Sequence, residues 1–198
     1  MLNQSFMPRF VQNMLVLTAL LFLFSCKGEE EQKATANPAT GTYFSIKDFT
    51  KDQWKTFHGQ PFMLHQYVTL NGKTDSTILS ALTMKWSLVF KTFFETDISD
   101  PKFLEQYDFA MFEESTTETR TFTYTAKKPE LFTQKLQIAA DMYTNKIRNI
   151  FIETQKQTFW NTQTQKLFYS PLRVIQIQEH NDPLIGRQKD LVIEYKFM

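Results

Sequence analysis

The sequence predicts an α+β domain: a mainly antiparallel, curved sheet of about six to eight strands, with two or three helices gathered on its N-terminal side. Three observations lead there. Apolar residues recur at helical spacing from Ser45 to Phe57 and from Met84 to Glu95, Asn71-Gly72 marks a tight hairpin, and from Tyr107 onward the period falls near two between short polar turns. Helices early and strands late give α+β. The connections are too short for parallel crossovers, which need a dozen or more residues, so the strands pair antiparallel.

In the first helix Ile46, Phe49, Trp54 and Phe57 supply the apolar positions, Asp48 and Asp52 lie near the start, and Gly59 and Pro61 stop the segment. The hairpin follows. Asn-Gly supplies the two φ > 0 residues that a type I′ turn needs. This fixes a register in which Leu64 meets Leu79 and Phe62 meets Ala81 on one face, while Met63, His65, Tyr67, Ser76, Ile78 and Ser80 share the other.

Met84–Glu95 fits two periods. Met84, Trp86, Leu88 and Phe90 alternate as in a strand, but Trp86, Val89, Phe90, Phe93 and Phe94 form a helical stripe opposite Lys85, Lys91, Thr92 and Glu95. The helix explains more residues, because Val89 and Phe93 break the alternation. Asp100-Pro101 opens a further short turn of helix through Leu104, proline being favoured at a first helical position.

The strand-rich remainder reads as follows. Tyr107, Phe109 and Met111 alternate before a polar turn at Glu113–Glu118; Phe122 and Tyr124 alternate among threonines; Leu136 to Met142 reach a turn at Asn145; and Ile147–Thr154 follows. Trp160 and Leu167–Tyr169 flank a turn near Asn161, Arg173–Gln178 runs to a turn at Asn181-Asp182-Pro183, and Asp190–Phe197 closes the chain. Thr121, Thr123, Thr125, Gln155, Gln157, Gln163, Gln165, Gln176 and Gln178 furnish the polar faces. The plainer reading is a wet sheet face; the functional one is a weakly polar surface that recognises through amides and hydroxyls.

Aromatic residues supply the buried area, each ring burying about 150–250 Å² when internal. Trp86, Phe90 and Phe93 on the second helix face Phe109, Phe122, Tyr124 and Tyr195 on the sheet, and these seven are the candidates for lining an apolar ligand. An aromatic stripe at helical spacing is more often core.

The N-terminus supplies an address. Arg9 precedes the uncharged apolar run Met14–Ser25, which ends at Cys26, the single cysteine of the chain. A basic n-region, a short apolar h-region and a small residue at the cut are the parts of a secretory leader. The run is shorter than the ~20 residues of a membrane-spanning helix. Leu23-Phe24-Ser25-Cys26 resembles the bacterial lipobox, with an aliphatic residue at −3 and a small residue at −1, although Phe24 is bulky for its position. The resemblance implies a signal peptide over residues 1–25, cleavage before Cys26 and lipid attachment at Cys26. Several acyl chains, at about 0.8 kcal/mol per buried CH₂, make a stable anchor. The plainer reading of Glu29-Glu30-Glu31 is a solvated charge run; the triplet also resembles the short acidic signals that send some lipoproteins to the outer face of the outer membrane, and Lys27 at +2, in place of aspartate, implies release to the outer membrane.

Residues 26–41 hold no aromatic side chain and no aliphatic one larger than alanine, so they cannot offset the entropy of ordering and should form a flexible stalk. Such a stalk spans roughly 20 Å. The rest, 42–198, is the size of one domain. Removal of a leader carrying Arg9 and no acid leaves 21 basic against 21 acidic side chains. This neutrality argues against nucleic acid as a partner.

Chemistry is sparse. His58, His65 and His180 show no metal-ligand spacing, the five glycines form no phosphate loop, and no serine stands in Gly-x-Ser-x-Gly. No catalytic residue, metal or cofactor is expected. Asp97-Ile-Ser-Asp100 lacks the glycine and distal glutamate of a calcium loop. The expectation is a non-enzymatic lipoprotein anchored in the outer membrane through its lipid, facing the periplasm or the cell surface, with a binding or structural role toward an envelope protein. The alternative is a carrier or receptor of a lipid or other apolar ligand. The order of leader, stalk, helices and sheet loosely resembles the periplasmic lipoprotein carriers and their outer-membrane receptors, whose half-barrels hold acyl chains.

Overall fold

The computed structural model describes residues 43–198. The leader, Cys26 and the stalk lie outside the described residues. Helix α1 (Ile46–Phe57) begins at Ser45, whose Oγ accepts from the Asp48 amide at 3.0 Å. That bond satisfies one of the orphan donors of a first turn. Ile46, Thr50 and Phe57 point inward. Helix α2 (Trp86–Phe94) buries Trp86, Val89, Phe90 and Phe93 and has no side-chain cap. The helical stripe thus prevails over the alternation in this segment. Pro101–Phe103 forms one 3₁₀ turn, capped by Asp100 accepting from the Lys102 amide at 2.9 Å.

The strands are β1 (Met63–Leu70), β2 (Lys73–Ser80), β3 (Tyr107–Glu114), β4 (Thr119–Ala126), β5 (Thr133–Asp141), β6 (Ile147–Gln157), β7 (Asn161–Ser170), β8 (Val174–Pro183) and β9 (Lys189–Phe197). They form one sheet in the order β2-β1-β9-β8-β7-β6-β5-β4-β3, with every neighbouring pair antiparallel. The hairpin keeps its predicted register, Leu64 opposite Leu79, with Asn71 and Gly72 at φ 49° and 81°.

Two expectations need correction. The sheet has nine strands, more than six to eight. Asn161–Lys166 is too polar to announce itself as a strand, yet β8 pairs with it from Asn161 and β6 from Thr162 onward. The turn placed at Asn181-Asp182-Pro183 is strand: Asn181 pairs with Lys189, and Pro183 lies opposite Asn161 as the last residue of β8, where a missing N–H is tolerated. The chain turns instead through 184–188, with Gly186 at φ 125°.

One face of the sheet carries the core. Directly opposed residues in antiparallel strands share a face. A continuous row therefore runs Val68–Ile193–Ile177–Leu167–Ile152–Leu136–Tyr124–Phe109, and beside it Tyr195–Ile175–Tyr169–Ile150–Ile138–Phe122. Leu167, Ile152, Leu136 and Ile175 are fully buried. The helices close over this face through rings. Phe57 stacks on Trp86 at 5.1 Å and on Phe90 at 6.2 Å, and it also meets Phe197 of β9 at 5.3 Å. Phe49, Phe90 and Phe93 all meet Tyr169 of β7.

Buried polar groups of the core are paired, whereas Asn161 Oδ1 and Asn181 Oδ1 are buried without a hydrogen-bond partner. Trp86 Nε1 donates to Ala81 O at 2.9 Å, Thr133 Oγ1 to Thr96 O at 3.0 Å, Tyr107 OH to Thr133 O at 2.9 Å, and Tyr169 OH to Gln53 Oε1. Each would otherwise carry a desolvation penalty of about 1–3 kcal/mol.

Candidate functional site

The seven ligand-lining candidates fall into separate groups. Trp86, Phe90 and Phe93 are buried; Trp86 and Phe90 belong to the stack around Phe57 and lie 5.8 Å apart at 19°, while Phe93 meets Tyr169 edge to face at 6.2 Å. Phe109, Phe122 and Tyr124 form a second cluster on β3 and β4, with Phe109 at 5.0 Å from Tyr124 and 6.2 Å from Phe122. Tyr43 closes that cluster, 5.3 Å from Tyr124 and 5.9 Å from Tyr107. Tyr195 is apart from both, its hydroxyl accepting from Gln66 Nε2 at 3.1 Å. The rings around Phe57 are in mutual contact and fill the space between helices and sheet at that point.

The phenols of this interior are held protonated. Burial pushes the Tyr107 hydroxyl up to about 12 and raises those of Tyr169, Tyr124 and Tyr195, hydrogen bonds from Phe44 and Gln66 partly opposing the last two. At physiological pH they act as neutral hydroxyls that order the core, since desolvation disfavours the phenolate.

Part of the core face is less well covered. At the β1–β9–β8 side, Val68 and Ile193 are half-buried beside the buried Ile177, and the next row holds Leu70, Leu191, Glu179, Gln165 and the buried Thr154. Gln165 Nε2 donates to Glu179 Oε2 at 3.1 Å, and Thr154 Oγ1 approaches Gln165 Oε1 at 3.5 Å. The result is a shelf with an apolar floor and an amide–carboxylate margin. Such a surface can hold an extended apolar chain and accept a hydrogen bond from a polar group at its end.

Sequence reasoning put Gln163 and Gln165 on the polar side. Their parity with Leu167 places them on the core side, as the parity of Glu179 with Ile177 places Glu179, and that alternation was available in the sequence. Thr121, Thr123, Thr125, Gln155, Gln157, Gln176 and Gln178 do share the opposite face, where Gln137 Nε2 donates to Thr123 Oγ1 at 3.2 Å and Gln176 Nε2 to Glu194 Oε2 at 3.3 Å. These amides bond to a hydroxyl and a carboxylate on the neighbouring strand, as on an ordinary wet face.

The histidines have separate surroundings. His65 Nδ1 lies 2.8 Å from Tyr67 OH, His180 Nδ1 lies 2.6 Å from Asp190 Oδ1, and His58 meets the Trp54 ring at 5.3 Å. Among the described residues no group of three or more His, Cys, Asp or Glu side chains is placed to hold a metal ion. Asp97 is structural, accepting from the Lys47 amide at 3.1 Å and from Ser99 Oγ at 2.6 Å. The most strongly perturbed acid is Asp141: hydrogen bonds from the Arg148 guanidinium, then from the Thr144 amide and hydroxyl, hold its carboxyl well below the usual carboxylate range. It ties the β5–β6 turn to β6.

Comparison with known protein families, curated proteins and solved structures finds no match to this chain.

Proposed function

We propose that this chain is a lipoprotein of the cell envelope, anchored in the outer membrane through Cys26, whose single domain works by binding and not by catalysis. The leader, the lipobox-like Leu23-Phe24-Ser25-Cys26 and the stalk support the anchor. One observation carries the choice of surface recognition over carriage: Phe57, Trp86, Phe90 and Phe197 stack on one another where a carrier would keep its cavity. With this space filled, the domain presents the outer face of its sheet to a partner protein of the envelope.

A second reading has its own support. The half-covered Val68–Ile193 floor beside Gln165 and Glu179 would suit one apolar chain with a polar end, making the protein a receptor or carrier of lipid. Titration of the full chain with a fluorescent fatty acid separates the two. Surface recognition predicts no saturable binding. Saturable binding at micromolar concentration, abolished by Ile193→Asp without loss of folding, would instead establish the carrier reading.

A further inference from the structure

The β1–β2, β6–β7 and β8–β9 turns and the β4–β5 connection all emerge at one end of the sheet, as the antiparallel order requires. There the apolar side chains face solvent. Phe159 is 79% exposed, Trp160 64%, Leu184 64% and Ile185 82%, with Leu70 and Phe132 exposed beside them. These are among the largest apolar side chains of the domain, and an exposed group of this kind marks an interaction site.

The turns are held firmly. Leu184 N donates to Trp160 O at 2.8 Å, Asn71 N to Asp190 O and Asp190 N to Asn71 Oδ1 at 2.9 Å, and Gln155 N to Phe132 O at 2.9 Å. Phe159 and Trp160 meet edge to face at 4.7 Å. From β1 to β5 the apolar groups lie along the strand ends β1-β9-β8-β7-β6-β5, about five interstrand spacings or roughly 24 Å. They form a continuous edge whose turns are preorganised by these hydrogen bonds.

Cations interleave with the apolar groups. Lys73, Lys156, Arg187 and Lys189 are exposed at these turns, and none makes an ion pair among the described residues. Asp182 and Asp190, on the strands behind, are engaged by Gln188 at 3.0 Å and His180 at 2.6 Å, and the exposed Glu130 of the β4–β5 connection is outnumbered there by Lys127 and Lys128. Lysine is depleted from the buried centres of protein–protein interfaces, which disfavours a protein as the occupant. Tryptophan, phenylalanine and aliphatic residues set among Lys and Arg are the composition of a surface that lies in the headgroup layer of a bilayer. Anionic phospholipid completes the charge match.

We propose that this edge, with Trp160 and Ile185 at its centre, dips into the headgroup layer of a membrane containing anionic phospholipid. The domain then stands end-on to the bilayer. Tyr43, the first described residue, hydrogen-bonds to the carbonyl of Tyr107 at 3.4 Å, and Tyr107 begins β3 at this same end of the sheet. Tyr43 is therefore tied to the end of the sheet that would face the bilayer. The assignment does not require Cys26 to be acylated.

The test uses the full chain with vesicles of phosphatidylethanolamine and phosphatidylglycerol, some lipids carrying brominated acyl chains. Trp160 is read as the difference between the wild type and Trp160→Phe. Insertion predicts that the Trp160 emission is quenched by the bromolipid and shielded from acrylamide. It also predicts that Ile185→Ser with Arg187→Glu raises the lipid concentration needed for half-maximal shielding on the order of a hundredfold, the charge reversal alone counting as two surface cations, while the unfolding midpoint is unchanged. Equal acrylamide access to Trp160 with and without vesicles would overturn the proposal. So would shielding that appears without lipid and rises with protein concentration, which would mark a second copy as the occupant. Because the readout is Trp160 and not co-sedimentation, its failure is distinct from failure of the Cys26 anchor, which is read by acyl labelling.

Discussion

Leu64 in the first strand lies directly opposite Phe197 in the last, joining the N-terminal hairpin to the end of the chain. Leu64 is fully buried, and Phe197 lies against Phe57, Phe62 and Trp86. This pairing makes the hairpin part of the sheet; an isolated two-stranded hairpin is at best marginally stable in water.

Phe197→Ala should therefore loosen both chain ends together. It removes three ring contacts at a half-buried site, and about 2–4 kcal/mol is the expected cost. Denaturant unfolding with the slope unchanged measures it. A loss near zero would mean that β9 does not close the sheet onto β1.

Gly72→Val tests the turn. Gly72 has φ 81° and nothing within 4 Å of where a Cβ would stand, so the cost is backbone strain alone. For a β-branched residue forced to positive φ it should be about 1–3 kcal/mol. An unchanged midpoint would contradict the turn geometry.

Phe90→Ala tests the filled interior. Phe90 is buried between Phe57, Trp86 and Tyr169, and truncation in a close-packed core should cost about 3–5 kcal/mol. A much smaller loss would indicate that the rings bound a cavity.

Arg148→Ala should change the acid limb of stability. The folded carboxyl of Asp141 sits below its unfolded value near 3.9, so its contribution is fully present above that value and is lost as pH falls through the folded value. Removing Arg148 lifts the folded value toward the ordinary one. The variant should be destabilised at neutral pH, with the difference from wild type shrinking as pH falls below 4; a difference independent of pH would contradict the role given to this pair.

Local features were legible in the sequence and remote ones were not. The type I′ hairpin and both helices are dictated by neighbours in the chain, and the structure has them where composition and period put them. The pairing of Leu64 with Phe197 joins residues distant in sequence and leaves no local trace. The polar run Asn161–Lys166 is strand only because β6 and β8 supply its hydrogen bonds. The aromatic candidates were found as residues but not as a site: helical spacing groups Trp86 with Phe90 and Phe93, while only the sheet order sets Phe109, Phe122 and Tyr124 apart with Tyr43. The exposed Phe159-Trp160 and Leu184-Ile185 pairs read as ordinary apolar residues until the turns are seen to share one end.

Metabolic labelling of the full chain with a tagged fatty acid tests the anchored-lipoprotein account most directly. The account predicts incorporation into the wild type, with the label absent from Cys26→Ala and that variant left uncleaved or released from the membrane. Label that persists in the alanine variant, or none in the wild type, would contradict it.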